Sequence, residues 1–417
     1  APIFNDPITN PLVPYYNSTL FNINNPVAVL EANTKSAITN RIMTNVNLNW
    51  DVIEGLSTKI NAGTDITNVR ADAHLNTYTS TGFSRNEIAG ISTLSGINNL
   101  IEWTVTYDKE FNDTHSVNVL GGVTYQDFSR MTTQIRAEDF AAKGTYTNNV
   151  GLGNGEKNFV ASDKIVSSLF SYIGRINYSF ADKLLVTATL RRDGSSKFGL
   201  NNKWGTFPAF ALGYKLDEES FVSELFNQLK VRASWGQVGN EAVAIAASQQ
   251  TYGSGGNATF NNSPYTAIAP SRVANPDLKW ETSEQTNIGI DFGILANRIS
   301  GSIDYFVKDT KDLLLDLPLP TSSGFASVLQ NVGGVKNSGI ELLISGGIIK
   351  TQDLSWETTF NFTTTKNEVT DIGGLGEIST GNIEAIGTTG VIKPGWSLNE
   401  YYGYEMNGLL QNAGEVA

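Results

Sequence analysis

Hydrophobic and polar residues alternate with period two over much of this chain. Val46, Leu48, Trp50 and Val52 interleave with Asn45, Asn47, Asn49 and Asp51. Ile101, Trp103, Val105 and Tyr107 do the same against Glu102, Thr104, Thr106 and Asp108, and Val117, Val119, Gly121, Val123 and Tyr125 follow. Successive side chains of a strand point to opposite faces, so this period marks strands with one apolar face. The same pattern predicts strands at 56–66, 172–180, 184–190, 210–216, 229–235, 288–294, 299–307, 340–348 and 354–362, twelve in all. They run from 7 to 11 residues, and six of the twelve reach the ~9–11 that a tilted strand needs to cross a bilayer.

The apolar face of these segments carries no charge, whereas the other face holds Lys59, Asp65, Glu102, Arg175, Lys230, Arg232, Asp291, Asp304, Glu341 and Glu357. A soluble β-sandwich also has one apolar face, so alternation alone does not choose between water and lipid. Connection lengths do better. Tight links at 53–55, 109–114, 181–183, 295–298 and 349–353 alternate with long polar stretches at 68–99, 129–171, 192–206, 236–286, 309–339 and 366–400. Outer-membrane barrels have this asymmetry of short periplasmic turns and long extracellular loops, and a sandwich has no reason to obey it. One further link, 217–228, occupies a turn position; Phe221, Val222, Leu225 and Phe226 are spaced as on a helix, which predicts a short periplasmic helix at 218–228.

Aromatic residues gather toward segment ends: Trp50, Trp103, Tyr125, Tyr178, Phe180, Trp235, Trp280, Tyr305 and Trp356. Half-wet rings at two interfaces would form the girdles of a membrane barrel; ordinary strand packing is the alternative. Composition agrees with strands and turns: 40 Gly, 10% aromatic and 17% charged residues. No stretch approaches the ~20 apolar residues of a membrane helix, so a membrane protein of this composition has to be a barrel. The start, Ala1-Pro2-Ile3-Phe4, lacks a signal-peptide pattern, as expected if a signal has been removed or the chain is an internal piece.

Several chemistries drop out. There is no Cys, and the two His, His74 and His115, lie apart, which argues against thiolate catalysis, disulfides and zinc clusters. The net charge of -12 without a basic run makes nucleic acid an improbable partner. Gly151-Leu152-Gly153-Asn154-Gly155 and Asp193-Gly194-Ser195-Ser196-Lys197 resemble phosphate loops, but neither leads into a helical pattern, and both read as turns. The acidic clusters Asp108, Glu110, Asp113 and Asp217, Glu218, Glu219 fall at turns, where solvated charge explains them better than calcium or acid/base work. Asn17-Ser18-Thr19 and Asn257-Ala258-Thr259 match glycosylation acceptors that Asn/Thr-rich loops generate by chance. Neither His has a nucleophile-triad setting, so no catalytic residue, metal site or cofactor is expected. A polar inner face with Gly/Asn/Ser/Tyr-rich loops suits recognition of hydrophilic solutes, with hydrated lining as the bland reading for any one residue.

Long ordered runs resemble the SusC/RagA family of TonB-dependent outer-membrane transporters of Bacteroidetes. They are Leu190-Arg191-Arg192-Asp193-Gly194-Ser195-Ser196-Lys197-Phe198-Gly199 with Lys203-Trp204-Gly205-Thr206-Phe207-Pro208-Ala209, and 229–240 with Trp235, Gly236, Gly239 and Asn240. Further runs are 275–289 with Asn275, Pro276, Trp280 and Glu281; Thr310-Lys311-Asp312-Leu313-Leu314; Asn331-Val332-Gly333; Asn337-Ser338-Gly339-Ile340-Glu341; and Tyr401-Tyr402-Gly403-Tyr404. The resemblance implies an all-β, transmembrane antiparallel β-barrel of about 22 strands, of which this chain supplies about 12–14. It implies import of large hydrophilic nutrients, oligosaccharides or peptides, energised through TonB, with a SusD-like surface lipoprotein over the mouth. No plug domain, TonB box or final aromatic strand is recognisable in the chain, which is therefore expected to be a middle section of the barrel at 1–417. Two alternatives stand beside the importer: an outer-membrane receptor or anchor that displays ligand-binding loops without active transport, and a soluble multi-strand adhesin, which leaves the alternating connection lengths unexplained.

Overall fold

The structure, a computed structural model, describes residues 24–219, 222, 226–383, 387–403, 405 and 408. After a short helix α1 (Pro26–Ala32) come β1 (Asn33–Ile53), β2 (Leu56–Leu75), α2 (Ser80–Ser84), β3 (Ile88–Phe111), β4 (His115–Glu138), β5 (Phe159–Phe180), β6 (Leu184–Ser195), β7 (Trp204–Lys215) and β8 (Phe226–Asn240). The hairpin β9 (Thr251–Phe260) and β10 (Ser263–Arg272) follows, then β11 (Glu281–Ile294), β12 (Ile299–Pro318), β13 (Ser327–Lys350) and β14 (Ser355–Ile372). The short strands β15 (Ile378–Ile383), β16 (Gly387–Ile392) and β17 (Glu400–Tyr401) make a separate small sheet.

Twelve strands form one sheet in the order β1-β2-β3-β4-β5-β6-β7-β8-β11-β12-β13-β14, and each covers one of the twelve alternating segments to within one residue. Sequential neighbours pair throughout except where β9 and β10 are left out, which is the up-and-down connectivity of a barrel wall. The strands are longer than expected, from 12 residues in β6 to 24 in β3. The extra length lies in stretches that look like loops because both faces are polar. Backbone groups still need partners there, and the ladder continues past the apolar band into segments rich in Thr, Ser, Asn and Gly.

The tight links are where the alternation puts them. Asn112 and Asp113 (φ 51 and 54) and Ala181 and Asp182 (φ 50 and 54) have the paired left-handed conformation of two-residue hairpin turns. Gly55 (φ 79) is required twice over, since a Cβ there would run into the Asp108 carbonyl. The helix expected at 218–228 is corrected at its end: Phe226–Gln228 already belong to β8, and Leu216–Glu218 form one 3-10 turn. Backbone bonds run from Val222 N to Glu219 O (3.0 Å) and from Phe226 N to Val222 O (3.2 Å); 220, 221 and 223–225 lie outside the described residues.

Two compact units can be distinguished. The first joins the described residues up to Leu48 with Ile60–Glu102 and Tyr125–Ser168. Its small core is Ala89, Ala137 and Phe140, with Val150 against it. The second comprises Asn49–Lys59, Trp103–Thr124 and Leu169 onward. Its core is Phe198, Phe207, Val243, Ala247, Leu278 and Trp280, five from the long connections and Phe207 from the start of β7.

Candidate functional site

Strand register divides the motif at 190–199 between two faces. Tyr172 pairs with Arg192 and Arg192 with Thr206, while Phe170 pairs with Gly194 and Gly194 with Trp204. Directly opposed residues share a face. Below them on that face lie the apolar rows Gly174–Leu190–Pro208, Ile176–Ala188–Phe210, Tyr178–Val186–Leu212 and Phe180–Leu184–Tyr214. The opposite face carries Arg175–Thr189–Ala209, Ile173–Arg191–Phe207 and Ser171–Asp193–Gly205. Arg192, Gly194 and Trp204 thus face outward with the apolar rows, and Arg191, Asp193 and Ser195 face inward.

The inward set builds a clamp that holds three long connections together. Buried Asp193 accepts from Arg191 Nε at 2.8 and 2.9 Å, and Arg191 Nη2 donates to Ser171 Oγ at 3.0 Å. Trp280 is 6% exposed, packs against Phe198 and Phe207 with centroid distances of 5.0 and 5.5 Å, and donates Nε1 to Lys203 O at 3.1 Å. Asn202 Nδ2 donates to Asp277 O (2.8 Å), beside Pro276, and Asn275 Nδ2 to Leu329 O (2.8 Å). Asn331 ties the β11 approach to β12 by donating to Lys279 O and Asp312 O, while Lys279 pairs with Asp312 at 3.0 Å. Lys197 pairs with Glu241 at 3.1 Å. Glu281 receives Asn240 Nδ2 (2.8 Å) and Leu314 N (3.0 Å). Gly239 has no room for a Cβ because the Phe207 ring fills it, and Gly236 sits against Ala209 in the same way. Trp280, grouped with the girdle aromatics on its place in the sequence, is therefore a core residue; its segment end folds inward under the loops.

Lower on the inner face, Arg232 of β8 opposes Gly289 of β11, Gly289 opposes Asp304 of β12, and Asp304 opposes Glu341 of β13. Arg232 contacts Asp291 at 3.1 Å and Asp304 at 2.7 Å. Gly289 makes this possible, since a Cβ would meet both Asp304 and the Arg232 guanidinium. Asn337 accepts from Asn367 Nδ2 at 2.6 Å, and a Cβ on Gly339 would strike the Thr364 carbonyl. Ser196 is exposed just above the clamp.

In the first unit, Asp139 receives Lys157 Nζ (2.8 Å), Asn86 Nδ2 (3.0 Å) and Asn154 Nδ2 (3.3 Å), and these donors hold its carboxyl well below the usual carboxylate range. Glu138 pairs with Arg85 (2.6 Å) and Arg136 (3.1 Å). A cavity of 660 Å³ opens beside Lys35, Ala73, Gly90, Gln134 and Phe159.

The aromatics Trp50, Trp103, Tyr125, Phe180, Tyr305 and Trp356 lie on strands with 41–66% of their surface exposed. Tyr178 is half-buried, its hydroxyl 2.8 Å from His115 Nδ1. No group of three or more His, Asp or Glu that could hold a metal occurs among the described residues. Sequence reasoning missed Phe207, Leu278, Tyr172 and Phe170 as partners of the motif. The parity of positions along 190–194 was the available signal, because residues two apart on a strand share a face.

Residues 3–410 match the family model described as TonB dependent receptor-like, beta-barrel. The chain is 38% identical over 308 residues to the TonB-dependent receptor P39 of Formosa agariphila, covering 73% of this chain and 28% of that protein. It is 35% identical over 256 residues to the TonB-dependent receptor SusC of Bacteroides thetaiotaomicron, covering 57% and 25%. The fold superposes on the RagAB peptide importer in its closed-closed state with a TM-score of 0.79 at 25% identity, over 89% of this chain and 40% of that one. The chain spans well under half the length of each of these relatives. Family, register and solved relative agree: the chain belongs to the TonB-dependent receptor β-barrel family, is similar to SusC and to the RagAB importer within it, and forms part of the wall of an outer-membrane barrel.

Proposed function

We propose that the full-length protein imports a large hydrophilic nutrient, an oligosaccharide or a peptide, with energy from TonB and with a SusD-like lipoprotein closing the extracellular mouth. The observation that carries this reading is the division of the sheet into an outer face whose apolar rows carry no charge and an inner face bearing Arg232, Asp291, Asp304 and Glu341 on adjoining strands. A charged lining suits passage or capture of polar cargo, and the clamp around Trp280 holds the loops where cargo would enter. The strands and plug that complete such a barrel belong, in this reading, to the rest of a longer polypeptide; β1 and β14, the sheet's two edges, would otherwise leave backbone groups unpaired in lipid.

A second reading, a receptor that binds without transport, draws on the β9–β10 hairpin, where Tyr252, Phe260, Tyr265 and Ile268 are all exposed. Uptake of labelled oligosaccharides and oligopeptides by cells carrying the full-length gene, with and without functional TonB, separates the two. Import predicts accumulation that disappears without TonB; surface binding that persists unchanged without TonB, with no accumulation, would refute it.

A further inference from the structure

Arg192 lies on the apolar outer face at the end nearer the long loops. Four rows of apolar or small residues lie beneath it, and Leu190, Ile176, Phe210 and Leu212 there are each at least half exposed. Phe180, in the lowest row, is eight positions from Tyr172, about 26 Å along a strand at ~3.3 Å per residue. With the ~35–45° tilt of barrel strands, this is about 20 Å along the membrane normal, near the top of a band ~25 Å tall. An arginine at that height reaches the head-group region while its stem stays over apolar surface.

The side chain is also held in place. The Arg192 guanidinium lies over the Trp204 ring, 5.3 Å from its centroid. Trp204 in turn stacks on Tyr172 (centroids 6.0 Å apart) and meets Phe170 edge-on (6.4 Å). Its indole lies flat across Gly194, where a Cβ would come within 2.9 Å of three ring carbons. Arg191, one residue earlier, is satisfied by Asp193 on the other face; Arg192 is exposed and has no carboxylate partner among the described residues. A fixed, uncompensated guanidinium above a continuous apolar strip matches the two halves of an amphiphile: an anionic head and an acyl chain.

We propose that Arg192, braced by Trp204, Tyr172 and Phe170, binds the phosphate of an outer-leaflet lipid whose acyl chain lies along the apolar rows below. Arginine suits this role because its planar fork of donors fits phosphate oxygens and tolerates partial desolvation.

The test uses the full-length protein in detergent, titrated with diphosphorylated lipid A while retained lipid is counted by native mass spectrometry. Arg192→Gln is expected to bind about tenfold more weakly, equivalent to ~1.4 kcal/mol. Arg192→Lys should keep part of the affinity and Trp204→Ala should lose part of it. Lipid A stripped of phosphate should bind the wild type and Arg192→Gln equally and weakly. Unchanged heat-modifiable gel migration of Arg192→Gln and Arg192→Lys establishes that both are folded. Equal retention of the phosphorylated lipid by wild type and Arg192→Gln would overturn the proposal. So would displacement of the lipid by inorganic phosphate at the same concentration, which marks a free-anion site. Loss of a co-purifying protein from Arg192→Gln with lipid retention unchanged would overturn it too, as the sign of a protein contact surface.

Discussion

Replacing Trp280 by alanine tests whether the motif residues act as a clamp on the loops. The indole is 6% exposed, packs on Phe198 and Phe207, and supplies the Nε1 donor to Lys203 O. Truncating a buried Trp to Ala costs about 3–5 kcal/mol, and leaving the Lys203 carbonyl unsatisfied adds about 1 kcal/mol or more. Even the lower end of that sum, about 4 kcal/mol, falls on the loop cluster and not on the ladder, because the strands below keep their backbone bonds. Opening of the clamp should then be about a thousandfold more frequent, at ~1.4 kcal/mol per factor of ten. Hydrogen exchange of the full-length protein in detergent reads this directly. The amides of Ser195, Asn275 and Leu278, which bond to Lys203 O, Ser248 O and Asn275 O, should lose protection. Peptides covering 184–190 and 229–235 should keep theirs. Unchanged exchange at these three amides would refute the clamp; an equal rise across the strands would show that Trp280 supports the whole wall instead.

Gly289→Val, which drives a side chain into the contact between Arg232 and Asp304, is expected to destabilise by about 1–3 kcal/mol and lower the temperature of the heat-modifiable gel transition. Gly174→Val, with open space around its Cβ on the outer face, should leave that transition where it is. Asp139 has a depressed carboxyl pKa, so its contribution is fully present above the ordinary carboxylate value of about 3.9 and is lost as pH falls toward the folded value. Protease sensitivity of 139–157 should therefore stay flat from neutral pH down to about 4 and rise only below it. Asp139→Asn should raise it already at neutral pH.

All twelve wall strands were legible because lipid on one side and polar surroundings on the other force strict alternation of residue type. Strand ends were not, because above the band both faces are polar and pairing continues without an apolar signature. The β9–β10 hairpin escaped for the same reason: Ser263-Pro264-Tyr265-Thr266 has no dry face to declare it, and the Asn261-Asn262 turn (φ 48 and 61) was hidden within a polar loop. Trp280 misled because a tryptophan near a strand end looks alike whether it sits at an interface or turns inward; Phe198, Lys203 and Phe207, all more than 70 residues away, decide between the two. The motif at 190–199 was visible as a unit, yet its division into Arg191 and Asp193 inside and Arg192 and Gly194 outside follows from position parity alone.

One face of this sheet meets lipid and the other does not. Single cysteines are placed at Thr187, Ala188, Thr189 and Leu190 of the full-length protein, with any cysteine outside this Cys-free chain replaced, and spin-labelled in a reconstituted bilayer. Collision with dissolved oxygen, which concentrates in lipid, is then compared with collision with a water-soluble nickel chelate. High oxygen and low chelate accessibility are expected at 188 and 190, and low oxygen accessibility at 187 and 189. Uniform accessibility along the four positions, or chelate-accessible labels at 188 and 190, would contradict this assignment of the faces.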